Sequence, residues 1–214
     1  NGGRRLFGRI RINGSKNAAL PQMAAALLTD QPVTLRDVPV LADIQNMQKL
    51  LAELGCQRTN LIEGVELAGE DATVMALQSV DESSSHARYE IVRTMRASIS
   101  TLGPMIARRG YARVSLPGGC AIGERPVDIH LRGLQALGAH IVLEGGDIVA
   151  KAPPGGLQGT TIFLGGTFGS TVLGTANIMS AATLARGKTV IECAACEPEI
   201  VDLARLLTAM GAKI

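Results

Sequence analysis

Three times along the chain, leucines at helical spacing run into a glycine: Leu51-x-x-Leu54-Gly55, Leu134-x-x-Leu137-Gly138 and Leu207-x-x-Met210-Gly211. Apolar residues at i and i+3 make a core-facing stripe, and a glycine directly after them stops a helix in the left-handed conformation. A basic residue stands six positions before each glycine, at Lys49, Arg132 and Arg205. Before each of these helices lies a second kind, rich in small residues: NAALPQMAAALLT, TMRASISTLGPMIARR and GTANIMSAATLAR. Each small-residue helix is followed by a β-branched segment, PVTLRDV, YARVSLP or KTVIECA. Corresponding points in those segments, Leu35, Val114 and Ile191, recur at roughly 80 residues, a supersecondary period. The first two copies continue into paired strands, turning near Glu63-Gly64 and at Gly145-Gly146. The third stops at Lys213-Ile214 without its closing strands. The spacing therefore predicts one α/β domain over 1–214, built of β-α-β-α-β-β units at roughly 13–83, 84–160 and 161–214, the third incomplete. An incomplete unit exposes a sheet edge, so self-association is expected, as is the behaviour of a fragment inactive on its own.

Composition narrows the function classes. The chain is 46% hydrophobic with 2% aromatics and no Trp, so its core must be aliphatic. A net charge of +2 and the lack of aromatic stacking platforms give no reason to expect nucleic acid as a partner. No apolar run approaches the roughly 18 residues that span a bilayer, and NGGRRLFGRI lacks a signal-peptide core. The expectation is a cytoplasmic chain with no membrane partner. In a reducing compartment Cys56, Cys120, Cys193 and Cys196 are thiols. Cys193-Ala-Ala-Cys196 is formally C-x-x-C, shared by zinc and redox sites. Zinc needs a second ligand pair, and His86, His130 and His140 are scattered, so no metal and no cofactor is expected. A redox reading stays open beside the plainer one of two thiols in a strand-to-helix connection.

Five segments could carry chemistry. Pro117-Gly118-Gly119-Cys120-Ala121-Ile122-Gly123 leaves little bulk around a thiol, and Arg125 follows close by. A cation lowers a thiol's pKa from about 8.5 and raises its reactivity, whereas an isolated cysteine is more often a buried, inert apolar residue. Asn13-Gly14-Ser15-Lys16-Asn17 leads into the first helix. It reads either as a cap beside a solvated lysine or as an anion site at a helix start, and its glycine spacing is not that of a Walker A loop. Arg93 and Arg96 stand three apart, predicting one helical face, with Glu90 placed to pair with Arg93. Arg125-Pro126-Val127-Asp128-Ile129 opens a helix, with Pro126 early and Asp128 suited to the dipole. Gly169-Ser170-Thr171-Val172-Leu173-Gly174 opens the third small-residue helix.

PGGCAIGERPVDIH resembles the mobile catalytic loop of the UDP-N-acetylglucosamine enolpyruvyl transferases, members of the EPSP synthase family. The resemblance extends over nearly the whole chain and implies one of that family's two domains, an inside-out α/β barrel with helices at the centre and sheets outside. The opening strand RLFGRIRING would belong partly to the other domain. It implies enolpyruvyl transfer from phosphoenolpyruvate to the 3′-hydroxyl of UDP-N-acetylglucosamine in peptidoglycan precursor synthesis, with no metal. Cys120 would be the proton donor and the target of fosfomycin. Lys16 and Asn17 match the Gly-x-Lys-Asn-Ala-Ala-Leu segment that meets phosphoenolpyruvate, and Arg96 matches the arginine of Met-Arg-Ala-Ser. Arg125, Pro126, Val127, Asp128 and Ile129 would line the reacting phosphate and the uridine pocket. Thr171 and Val172 would meet the diphosphate. The chain departs from the pattern at Gly169 and Ala42, where the family has lysine, at Leu173, where it has glycine, and at Cys196, where it has a basic residue. A non-catalytic paralogue binding a nucleotide or a partner is the alternative these departures support.

Overall fold

A computed structural model describes residues 2–5, 7–10, 12–59, 61–62, 65–66, 74–116, 127–167 and 169–214. Helix α1 (Lys16–Ala25) runs into a 3-10 turn (Ala26–Leu28) and is followed by β1 (Val33–Leu35), α2 (Ala42–Glu53) and β2 (Cys56–Thr59). A short antiparallel pair, β3 (Leu61–Ile62) and β4 (Val65–Glu66), precedes β5 (Met75–Ser79). The middle of the chain holds β6 (His86–Ala87), α3 (Tyr89–Val92), a 3-10 run (Arg96–Thr101), α4 (Leu102–Arg109) and β7 (Tyr111–Ser115). There follow α5 (Asp128–Ala136), β8 (His140–Glu144) and β9 (Asp147–Lys151). The last part is β10 (Thr161–Phe163), α6 (Val172–Ala182), β11 (Val190–Glu192) and α7 (Pro198–Ala209).

The fold is mixed α/β. Strands β1-β5-β2 form one antiparallel sheet, and β7-β9-β8 repeat that order with β6 added parallel to β7. Strands β10 and β11 form a separate parallel pair. None of these sheets closes on itself among the described residues. The expected turn at Gly145-Gly146 is present, with φ of 60° and 85°. Two consecutive positive φ values match the twist of the flanking strands and favour glycine. The first copy differs from expectation: β3 and β4 flank Glu63-Gly64, which lie outside the described residues, but the partner of β2 is the later strand β5.

The leucine-glycine endings stop helices as the spacing predicts. Gly55, Gly138 and Gly211 all have positive φ. After α5, Gly138 N–H donates to Gln135 and Ala139 N–H to Leu134; after α7, Gly211 N–H donates to Thr208 and Ala212 N–H to Leu207. This paired pattern satisfies carbonyls that the helix end would otherwise orphan. The stripe residues Leu50, Leu51, Leu54, Leu134 and Leu137 are fully buried. Each contributes about 2 kcal/mol relative to exposure.

Helices α1, α6 and the 3-10 run with α4 pack on one another, with α2, α5 and α7 against them. Small residues allow this closeness. A Cβ on Gly103 of α4 would stand 2.3 Å from the Asn177 backbone oxygen, and one on Gly133 of α5 would meet Ile178 at 2.6 Å. Where α7 docks, Ile200, Leu203 and Leu207 join Ala25, Leu28 and Ala176 in a second, smaller core.

None of the described residues of the opening segment is in a strand, and Phe7, Ile10 and Ile12 are exposed. One expectation is corrected: the second small-residue helix is not continuous. The helical turn begun at Tyr89 ends at Val92, Met95 is extended (φ −153°, ψ 116°), and a 3-10 run begins at Arg96. The hydroxyls of Thr94, Ser98 and Thr101 each donate to the carbonyl three residues back, competing with regular α-helix there. Arg93 and Arg96 therefore do not share a helical face.

Candidate functional site

Lys16 is the first residue of α1, whose N-cap is Ser15; the Ser15 hydroxyl accepts from Ala18 N–H at 3.4 Å. Gly14 is required there, because a Cβ would stand 1.8 Å from the Asp37 carbonyl oxygen. Lys16 Nζ donates to Asp43 Oδ2 at 2.7 Å, joining the starts of α1 and α2. Both partners are partly exposed, so the pair adds little stability. Its chemical meaning is larger: an anion at the α1 start must share Lys16 with a carboxylate already there. Asn17 is exposed beside it.

Arg93 pairs with Glu90 at 3.4 Å on the surface, the solvated pair the spacing allowed. Arg96, half-buried at the start of its 3-10 run, lies near His130 of α5 and lowers that imidazole's pKa. His130 is buried and its pKa is pushed down to about 4, first by desolvation and then by Arg96, with Asp128 opposing. At neutral pH it is an uncharged imidazole. Asp128 and Ile129 form the first turn of α5, with Val127 as N-cap. Cys120, Arg125 and Pro126 lie outside the described residues.

Thr171 is the N-cap of α6, and its hydroxyl accepts from Gly174 N–H at 3.3 Å. Val172 opens the helix. Leu173, which stands where the resemblance has glycine, sits in an ordinary helical turn and packs partly buried against the main core. Gly169 is different. It has φ of 91° and exchanges backbone hydrogen bonds with Gly166 at 2.8 and 3.0 Å. A lysine at that position would be strained in this backbone. Ala42 is an exposed first residue of α2.

Helices α1 and α6 thus each begin at a hydroxyl cap beside predicted site residues, and Arg96 opens a third central segment. Backbone N–H groups at helix starts favour anions. Arg96 and Asp128 both act electrostatically on His130, and Lys16 pairs with Asp43. Sequence reasoning missed Asn177 and set His130 aside as scattered. An asparagine in the middle of an otherwise small and apolar helix was the available signal, since asparagine disfavours helix interiors unless its amide is engaged.

A second polar cluster lies in the strand leading towards the Cys120 loop. Asp147 accepts from Arg113 Nε at 2.5 Å and from Ser115 Oγ at 2.6 Å, with His86 Nε2 at 3.4 Å. Burial would raise the Asp147 pKa, but the bonds from Ser115 and Arg113 overcome it and hold the carboxyl below its ordinary range.

The described thiols divide by environment. Cys56 is buried and its pKa is pushed up to about 11 by desolvation, only partly offset by Arg109. Cys193 and Cys196 are exposed on either side of buried Ala195, whose N–H donates to Thr175. Helix α7 opens after them, at Pro198 with Glu197 as N-cap. Neither thiol sits in the first turn, where a helix dipole would activate it. A groove of about 870 Å³ between α6, β11 and α7, lined by Met179, Ile191, Ile200 and Ile214 among others, holds none of the predicted site residues. No group of metal-ligating side chains is present among the described residues, and none of their helices is long and apolar enough to cross a membrane.

Comparison with known proteins agrees with this architecture. The profile of EPSP synthase (3-phosphoshikimate 1-carboxyvinyltransferase) matches residues 1–214, and the chain belongs to that family. Among solved structures it is similar to the enolpyruvyl transferase NikO from Streptomyces tendae, with 19% identity and a TM-score of 0.77 over 100% of this chain and 47% of that one. It is also similar to EPSP synthase from Acinetobacter baumannii, with 15% identity and a TM-score of 0.65 over 96% of this chain and 44% of that one. The chain spans less than half the length of these proteins.

Proposed function

We propose that the chain forms the half of an enolpyruvyl transferase that carries the reactive cysteine. The reaction moves the enolpyruvyl group of phosphoenolpyruvate to the 3′-hydroxyl of UDP-N-acetylglucosamine, in the cytoplasm, towards peptidoglycan. The observation that carries this reading is the family match over 1–214 together with the Cys120 loop, which resembles that of the UDP-N-acetylglucosamine enzymes. In this scheme the Cys120 thiol gives its proton to the methylene carbon of phosphoenolpyruvate while the sugar hydroxyl oxygen bonds to the neighbouring carbon. The hydroxyl proton goes to a base that the resemblance puts on the family's other domain. The tetrahedral adduct then expels phosphate and returns a methyl proton to the Cys120 thiolate, restoring the double bond and the thiol. Lys16, Arg96 and Arg125 would hold the carboxylate and phosphate against mutual repulsion, with Asn17 beside Lys16. Val127, Asp128 and Ile129, with Pro126, would take the uridine, and Thr171 and Val172 the diphosphate. Part of the same proposal is an inside-out barrel of three units, in which β10-α6-β11-α7 is the third.

A non-catalytic paralogue is the second reading, favoured by the glycine-specific backbone at Gly169. Calorimetric titration with UDP-N-acetylglucosamine and, separately, shikimate 3-phosphate tests the substrate: binding of the first alone is expected. Binding of shikimate 3-phosphate alone would move the chain to the other substrate class, and binding of neither would favour the paralogue. Fosfomycin followed by peptide mapping is expected to label Cys120 and to leave Cys56 untouched, given its raised pKa. Labelling at Cys193 or Cys196 instead would revive the redox alternative.

A further inference from the structure

Resting on that reading, we propose that Asn177 is a positioning residue: its carboxamide ties the segments bearing Arg96, Asp128 and Val172 together and dictates which nitrogen of His130 carries the proton. Asn177 and His130 are both almost fully buried, at 1% and 3% exposure. Asn177 Oδ1 accepts from Gly103 N–H at 2.6 Å. A backbone N–H can only donate, so the atom facing it is the amide oxygen. The amide nitrogen then donates to the Ile99 carbonyl at 3.1 Å and faces His130 Nδ1 at 3.1 Å. An amide nitrogen does not accept, so His130 Nδ1 is the acceptor and the proton sits on Nε2. One side chain thereby sets the imidazole's tautomer from a backbone bond made on a different helix.

The same atoms hold three segments that are remote in sequence. Ile99 lies on the 3-10 run that Arg96 opens, His130 lies in the helix that Asp128 and Ile129 begin, and Asn177 lies in the helix that Val172 begins. The glycines fit this role. Gly103 lets the α4 backbone approach Asn177, and Gly133 lets α5 approach Ile178, the next residue of α6. The charged groups acting on His130 are Arg96 from the 3-10 run and Asp128 from its own helix. With Asn177 donating to it, the imidazole stays neutral and adds no repulsion beside Arg96.

The test reads His130 directly, without ligand, by nitrogen NMR of imidazole-labelled protein. The wild-type chain is expected to show a protonated Nε2 and a bare Nδ1 from pH 7.5 down to 5. In Asn177→Asp, a carboxylate that only accepts replaces the donor, so His130 should become an imidazolium at pH 7. A protonated Nδ1, ordinary titration near 6.5, or an unmoved spectrum in folded Asn177→Asp would overturn the assignment. If Asn177→Asp does not fold, the wild-type tautomer still decides it. Asn177→Ser tests positioning: its affinity for UDP-N-acetylglucosamine should fall about tenfold with the fold intact by circular dichroism, and unchanged affinity would overturn the positioning role. A wild-type chain that binds no nucleotide sugar but shows the expected imidazole spectrum would sink the functional reading and leave the tautomer assignment standing.

Discussion

Two polar clusters that join distant strands or helices, around Asn177 and around Asp147, solve the problem in opposite ways. Around Asn177 every contact is made by neutral groups, and the one ionisable member, His130, is held uncharged. Around Asp147 the carboxylate is held ionised by a charged partner, Arg113, together with the neutral Ser115 hydroxyl. The difference follows from solvent. His130 is sealed among helices, where a lone charge costs too much, whereas Arg113 on the sheet is partly exposed and keeps its hydration. Burial selects a neutral network; a half-open sheet face permits an ionic one.

The largest effect should come from breaking the buried network. Asn177→Leu keeps the branched four-atom shape of the asparagine side chain but leaves the Gly103 N–H, the Ile99 carbonyl and His130 without their partner. A loss of about 3 kcal/mol or more is expected in urea denaturation, since each buried orphan costs about 1–3 kcal/mol. A loss below about 1 kcal/mol would erase the contrast between the clusters.

Next in size is a pH effect that separates them. Folding lowers the His130 pKa from 6.5 to about 4, so the unfolded chain binds a proton there that the folded chain does not. Stability therefore declines as pH falls from about 6.5 to about 4 and then levels, by roughly 3 kcal/mol at most. His130→Gln should remove that decline in melting experiments across the window. A decline that persists in the variant would assign it to another group.

Asp147 acts in a lower window with the same direction. Its folded pKa is depressed, so its stabilisation is complete above the unfolded value of about 3.9 and is lost as pH falls further. Asp147→Asn should cost about 1 kcal/mol at neutral pH and flatten the stability profile below pH 4, leaving the His130 step in place. Should both steps vanish together, the clusters are coupled and the comparison fails.

The smallest change in stability is expected for Asp43→Asn, about 0.5 kcal/mol or less, because Lys16 and Asp43 are both partly exposed. Its informative readout is binding: with the competing carboxylate removed, phosphoenolpyruvate affinity should rise about two- to threefold by calorimetry. Unchanged affinity would argue that Lys16 does not meet the anion.

Features set by neighbours along the chain were legible from the amino acids. Leucine spacing and a following glycine located the ends of α2, α5 and α7, because a helix end depends on bonds within one turn. Gly145-Gly146 gave away the β8–β9 turn for the same local reason, and Ser15 and Thr171 stand at the helix starts their hydroxyls suit. Local pattern failed where side chains competed with the backbone, as at Thr94 and Ser98, where a helix expected to be continuous breaks beside Arg96. Tertiary structure alone decided that Lys16 shares its charge with Asp43, that the glycine at 169 reflects a left-handed backbone, and that Asn177 reaches residues 74 and 47 positions away. Those outcomes depend on which groups burial brings together and strips of water, and no local run of residues encodes that.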